Sequence, residues 1–307
     1  MHTETQRDRD TEGKGENPCG SASPLRVKSF WKSVEKKEQA MGIIARIWNK
    51  VVGGASKPGL SGALRAGATM TLKLPGGAKM EMVWCPPGSF MMGSPEDENG
   101  HWERETLHPV TLAEGFWMAK YPVTQKQWKS VMRGNPSHFK GSRLPVEHVS
   151  WFDSVAFCRK AELSLPSEAQ WEYACRAGST GAYAGRGDLR SMGWYSKIDH
   201  CHSTQPVGQK SPNAWGLYDM HGNVAEWCMD VWGKKPRGVP FDPKLADSHD
   251  KYVVSRGGSI WSDCKEHCRS ACCIPEEPDF HEEYFGEPIK LIGFRPVARQ
   301  GGGGVLP

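Results

Sequence analysis

The run Asn213-Ala-Trp-Gly-Leu-Tyr-Asp-Met-His-Gly-Asn-Val-Ala-Glu-Trp227 constrains this chain more than any other part of it. Its turn formers, Asn213, Gly216 and the pair Gly222-Asn223, stand among large apolar residues. That reads as looping, tightly packed backbone, neither helix nor regular strand. Asp219 and Glu226 are its only acids. Two carboxylates with backbone carbonyls between them suit a hard cation such as calcium; the alternative is a solvated acidic pair. Downstream, Arg256-Gly-Gly-Ser259 has two glycines where backbone can pass close to another group. Four cysteines follow within ten residues: Cys264, Cys268, Cys272 and Cys273.

Thirteen tryptophans and 35 glycines among 307 residues extend the theme of flat side chains threaded by irregular backbone. With 38% hydrophobic and 24% charged residues, the chain can bury an ordinary core. A net charge of +4 is too small to argue for nucleic acid as a partner. No apolar run is long enough to span a bilayer. Polar residues 1–27 carry no secretory signal at Met1, so a cytoplasmic location is expected, and a monomer. Ten cysteines fit disulfides in an oxidising compartment, or free thiols and a metal site.

Residues 1–27 read as a disordered tail. Residues 28–52 have apolar side chains at helical spacing, from Phe30 and Trp31 to Val51 and Val52. Between Arg26 and Lys50 there are seven basic and two acidic residues. Such a helix can lie on an anionic membrane surface or pack on its own domain. Met41 offers a second start. Residues 53–67 read as a Gly-rich linker, 68–298 as the folded domain and 299–307 as a flexible tail.

Within the domain, Thr69–Leu74 and Lys79–Trp84 predict a hairpin about Pro75-Gly-Gly. Short strands are expected at Val110–Leu112, Phe116–Ala119, Tyr252–Ser255 and Leu291–Val297. Three helices, about 125–132, 151–161 and 168–176, are announced by one device. A capping hydroxyl stands three residues before a side chain able to reach back: Thr124 with Gln127, Ser150 with Asp153, Ser167 with Gln170. Gly134 and Gly178 are the expected stops of the first and third. Residues 179–250 have no sustained periodicity and need something, such as a bound cation, to pin them.

Several blocks fall in a telling order: Met82–Ser94, Lys120–Trp128, Leu165–Arg176, Gly216–Trp227, Arg256-Gly-Gly-Ser259 and Gly293-Phe-Arg295. Together they resemble the formylglycine-generating enzyme (sulfatase-modifying factor) family over roughly residues 80–298. The resemblance implies an irregular α+β fold related to C-type lectins. A few helices would surround short antiparallel sheets, with little regular structure overall.

The resemblance also implies site residues. A calcium ion would be held by the side chain of Asp219, the carbonyls of Gly222 and Val224, and the side chain of Glu226. The family's second calcium site lacks its aspartate, because Cys201-His-Ser-Thr-Gln205 stands there. The family holds copper(I) between two cysteine thiolates, a soft ion on soft ligands. They are the third and eighth residues after the serine of Arg-Gly-Gly-Ser, places held here by Ser262 and His267. Ser259 matches the serine. With one residue inserted, the available pair is Cys264 and Cys268, spaced CxxxC in place of CxxxxC.

The remaining cysteines have structural readings. Cys175 and Cys273 match positions that are disulfide-bonded in some members, and the partner of Cys158 is replaced by Pro296. Cys228 competes for Cys268, and Cys175 is expected within reach of Cys272 or Cys273. His200-Cys-His202 matches no standard zinc site.

The leading function implied is an oxidoreductase that converts a cysteine of a client sulfatase peptide to formylglycine, with Cys264 and Cys268 on copper beside Ser259. The alternative is a non-catalytic, calcium-stabilised module of the same fold that presents its loops to a protein or glycan. A third reading is an iron-dependent sulfoxide synthase, which would need a helical domain carrying histidine ligands.

Overall fold

The computed structural model describes residues 64–185, 188–195, 203–232, 252–262, 264–279 and 291–299. The chain separates into two units, Met1–Leu60 and Ser61–Pro307, and every described residue lies in the second. The expectations for residues 1–27, 28–52 and most of 53–67 lie outside the described residues, as does His200-Cys-His202.

Strands β1 (Thr69–Lys73) and β2 (Lys79–Cys85) form the expected hairpin, with Thr69 opposite Val83. β3 (Gly88–Met92) and β4 (His108–Leu112) pair as a separate two-stranded sheet. β5 (Phe116–Ala119) returns to the other edge of β2. Then come α1 (Gln125–Val131), α2 (Trp151–Lys160) and α3 (Glu168–Arg176). All three open on complete capping boxes, and the shorter Asp153 closes its box more loosely, at 3.4 Å against 2.9 Å for each glutamine. α3 ends with Ala177 in the left-handed region (φ 46) and Gly178 after it (φ 90). α1 instead runs out into extended Met132, and Gly134 takes its positive φ beyond the cap.

β6 (Ala225–Val231), β7 (Val253–Arg256), β8 (Cys273–Glu276) and β9 (Ile292–Gly293) build the second four-stranded sheet, in the order β8-β7-β6-β9. Only β6–β9 is parallel. β10 (Val297–Arg299) closes the first sheet, giving β1-β2-β5-β10. The mixed α+β architecture with few helices and short sheets is the one expected. Four details differ. The 213–227 run is not loop throughout, since it becomes β6 at Ala225. β8 had no sequence signal. Gly67, assigned to the linker, donates to the Trp84 carbonyl and so belongs to the domain. Arg299, assigned to the tail, pairs with Phe116.

α3 lies in the middle of the core. Trp171, Tyr173, Ala174 and Cys175 pack with Val83, Phe116 and Met118 of the first sheet. Cys228, Val254 and Cys273 of the second sheet join the same cluster. A second junction stacks Trp128 of α1 on Phe157 of α2, at 5.6 Å between ring centroids. Phe294 packs edge-on against both rings.

The 213–227 run finishes α3. Asn213 Nδ2 donates to the carbonyls of Ala174 (2.7 Å) and Cys175 (3.0 Å), two of the acceptors that a helix end leaves over. Its Oδ1 accepts from the backbone N–H of Trp215 and Leu217, which shapes the following turn. Asn213→Ala should therefore cost about 2 kcal/mol, because buried carbonyls lose their donors. Urea denaturation checks it, and a loss below about 0.5 kcal/mol, the size of an ordinary surface change, would refute the cap.

Candidate functional site

Arg295 fills the middle of the motif loop. It is fully buried and forks onto Glu226, with Nε to Oε2 and Nη2 to Oε1 both at 2.7 Å. The same guanidinium donates to the carbonyls of Tyr218 (2.8 Å), Ala119 (3.2 Å) and Lys120 (3.3 Å). Trp171 Nε1 donates to Glu226 Oε2 at 2.7 Å. Arg295 thus ties this loop down from within. Glu226, expected as a free calcium ligand, has both oxygens committed.

Asp219 is different. It sits at positive φ (56), buried, with Oδ2 accepting from the Gly208 N–H at 2.8 Å. Its Oδ1 is buried without a hydrogen-bond partner. Burial pushes its carboxyl up to about 6, although Arg295 and the Gly208 N–H pull the other way. An orphaned carboxylate oxygen of this kind fits a hard cation, so the Asp219 end of the loop suits calcium and the Glu226 end does not. The turns around it are as tight as the sequence implies. Gly216, Gly222 and Asn223 all take positive φ, and Asn223 clamps Gln205 through both its side-chain atoms.

The second constellation follows Gly257-Gly258. Both glycines take positive φ and both make close approaches, Gly257 to the Trp171 ring and Gly258 to Cys268. A Cβ on Gly258 would stand 2.7 Å from Cys268 Sγ and 3.0 Å from Ser262 Oγ. The Ser262 hydroxyl hydrogen-bonds the Cys268 thiol. It also accepts from the Ser259 N–H at 2.9 Å. Ser259 Oγ accepts from the Trp261 N–H, and so serves its own turn. Cys268 is fully buried, and burial holds its thiol far above the ordinary range. Cys264 is half-buried, at the start of the short 3-10 turn Lys265–Cys268. The structure therefore sets Ser262 against Cys268 within the Gly258 turn, with Cys264 close enough for its charge to act on the same thiol.

His221 and Arg269 hold this turn and were not singled out from sequence. His221 donates from Nδ1 to the Cys268 carbonyl (2.8 Å) and accepts at Nε2 from the Ala184 N–H (3.0 Å). Burial lowers its pKa to about 4, so it is a neutral linker. Arg269 reaches Glu105 and Glu98 at 2.7 and 2.8 Å and the Gly100 carbonyl, while Asn99 donates to Glu266 and Trp102 meets the His267 ring. The acidic 95–106 loop is thereby strapped over the Cys264–Cys268 turn. The signal available was a lone charged residue inside an otherwise apolar or small-residue run, as at Arg256 and Arg295. Arg256 is fully buried and bonded to Glu168 (2.6 Å) and Glu172 (2.9 Å) of α3.

The eight described cysteines are unbridged. Cys85, Cys175, Cys228 and Cys273 share the central cluster, whereas Cys268 packs with Leu189, Met192 and Tyr195. Cys175 and Cys273 thus belong to one cluster, and Cys228 and Cys268 to different ones.

Residues 71–299 match the sequence model of the family described as sulfatase-modifying factor enzyme 1-like domain. The chain is similar to a formylglycine-generating enzyme of Mus musculus, 34% identical over 207 residues, which is 62% of this chain and 53% of that protein. It spans 65%, 53% and 45% of the length of the first three curated relatives it matches, and about a third of others. Among solved structures, PvdO from Pseudomonas aeruginosa shares 28% identity with a TM-score of 0.64, over 78% of this chain and 100% of that one. Treponema denticola variable protein 1 shares 25% identity with a TM-score of 0.63, over 76% and 99%.

Arg295→Met leaves Glu226 buried and unpaired and should cost about 3–5 kcal/mol. Arg295→Lys should recover little of that loss, because an ammonium cannot fork onto two oxygens and three carbonyls at once. Chemical denaturation of the two variants checks this, and a lysine variant as stable as the parent would contradict it.

Proposed function

The chain belongs to the sulfatase-modifying factor enzyme 1-like family, and on that premise we propose that it is a recognition module for a protein client, stabilised by calcium, that keeps the fold without the copper pair. The observation that carries this reading is the contact between Ser262 and Cys268 beside Gly258. A copper(I) oxidation site needs two thiolates facing each other and open to the substrate. Here the Cys268 sulfur is buried and hydrogen-bonded to the Ser262 hydroxyl. The oxidoreductase reading keeps one support, because Cys264 is half-buried in the same turn, within four residues of Cys268.

The two readings part on one experiment. The protein is loaded with copper(I) and incubated with a cysteine-bearing sulfatase-type peptide in air, and aldehyde is counted by mass spectrometry. The module reading expects no copper-dependent aldehyde. Aldehyde formation that disappears in both Cys264→Ser and Cys268→Ser would overturn it.

Calcium in this proposal sits on Asp219 with the carbonyls of Gly222 and Val224. The ion would supply positive charge to a carboxylate that burial otherwise drives toward neutrality. Without an ion, the raised carboxyl costs stability as pH rises from about 4 through about 6, the range in which the unfolded chain gives up its proton first. Calcium at ~100-fold over its Kd should offset this by up to about 2.7 kcal/mol above pH 6. Chelator should lower the melting temperature of the parent at pH 7.5 and leave Asp219→Asn unmoved. Glu226→Gln should be destabilised and still respond to chelator. A parent melting curve indifferent to chelator rules the site out.

A further inference from the structure

We propose that the groove between the β1–β2 hairpin and the start of α1 binds an anionic saccharide, a sugar bearing sulfate, phosphate or carboxylate groups. The groove has a volume of about 580 Å³ and draws its walls from β1, β2, residues 121–127, Ser142-Arg143 and Val207. None of these belongs to the Ser259–Cys268 turn, so the site stands whether or not those cysteines hold copper.

Charge gives the first part of the argument. Lys79, Lys126 and Arg143 line the groove, are exposed, and have no carboxylate partner among the described residues. The one acid in the lining, Glu81, is already held by Lys120 at 2.8 Å. Three cations therefore face the space unopposed, and an anionic group entering it meets charge-assisted donors. Lining composition gives the second part. Thr69, Thr71, Thr124 and Ser142 supply hydroxyls, beside Met70, Val207 and the Tyr121 ring as apolar walls. An extended peptide needs apolar pockets for its side chains. A hydroxyl-lined trough meets a polyol, which offers donors and acceptors at every carbon.

Rigidity is the third part. Tyr121 presents a half-buried ring to the groove. Its back is set against Gly208, where a Cβ would stand 2.5 Å from the ring, and against Tyr218 at 5.2 Å between centroids. Gly208 is itself tied to Asp219 through its N–H. The ring is thus held by the fold before any ligand arrives, and a sugar face can pack on it without an ordering cost.

The full chain is titrated calorimetrically, at low and at physiological salt, with three probes: a sulfated heparin tetrasaccharide, its fully desulfated counterpart, and a hexaglutamate peptide. The sulfated probe should bind, and more weakly at higher salt. The desulfated probe should not bind. Lys126→Glu/Arg143→Glu should lose at least about tenfold in affinity, the loss expected from one charged hydrogen bond. Lys160→Glu, an exposed charge change outside the groove, should match the parent. Equal losses in the groove and Lys160 variants, tighter binding of hexaglutamate, or no binding of the sulfated probe would each overturn the proposal. Circular dichroism of each variant separates loss of the site from loss of the fold.

Discussion

A buried guanidinium with five donors tolerates very few surroundings, and the position of Arg295 decides much of this structure. Taking that charge out of water costs several kcal/mol unless its donors are met. Glu226 meets two, and carbonyls at the end of β5 and in the 218–219 loop meet the rest. The pair therefore fixes the first sheet, the motif loop and the second sheet against one another. The neighbouring strand repeats the device, since Arg256 lies opposite Glu226 and is bonded to two acids of α3. Trp151, Trp171 and Trp227, all fully buried, each place their indole N–H on an acceptor. A fold with so little regular structure is specified by its buried ion pairs and hydrogen bonds as much as by apolar packing.

What could be read from sequence was local. Three helix starts are written in adjacent residues, because a capping box closes within four positions. The β1–β2 hairpin needs only its turn and its alternation. β8 is different: Cys273–Glu276 carries no alternation of its own and becomes a strand by pairing with β7. Glu226 shows the same limit at the site. From sequence it is an acid in a loop, hence a candidate ligand, and the arginine that neutralises it stands 69 residues further on. Asp219 is surrounded instead by its own turn, with a positive φ and a bare oxygen.

The Gly258 turn separates frame from chemistry. Its two glycines take positive φ, Ser262 lies against Cys268, and the 95–106 loop is strapped over it by Arg269. Within that frame the side chain facing Cys268 is set by a single turn. The frame depends on backbone shape and buried ion pairs, and the chemistry depends on which atom fills one position. The first survives changes that remove the second, which is why a shared fold says little about a reaction.

The end of α3 has a kinetic meaning as well. Its last carbonyls wait for Asn213, which is 39 residues from Ala174 in sequence. A helix of nine residues is too short to persist alone in water. α3 can therefore form its capping box early but be completed only when a remote loop has closed on it, after the closure entropy of the intervening chain has been overcome. A nascent chain released before Asn213 emerges would carry an unfinished helix whose tryptophan-bearing face has nothing to cover it. The chain's most ordered element thus depends for its last turn on one of its least regular ones.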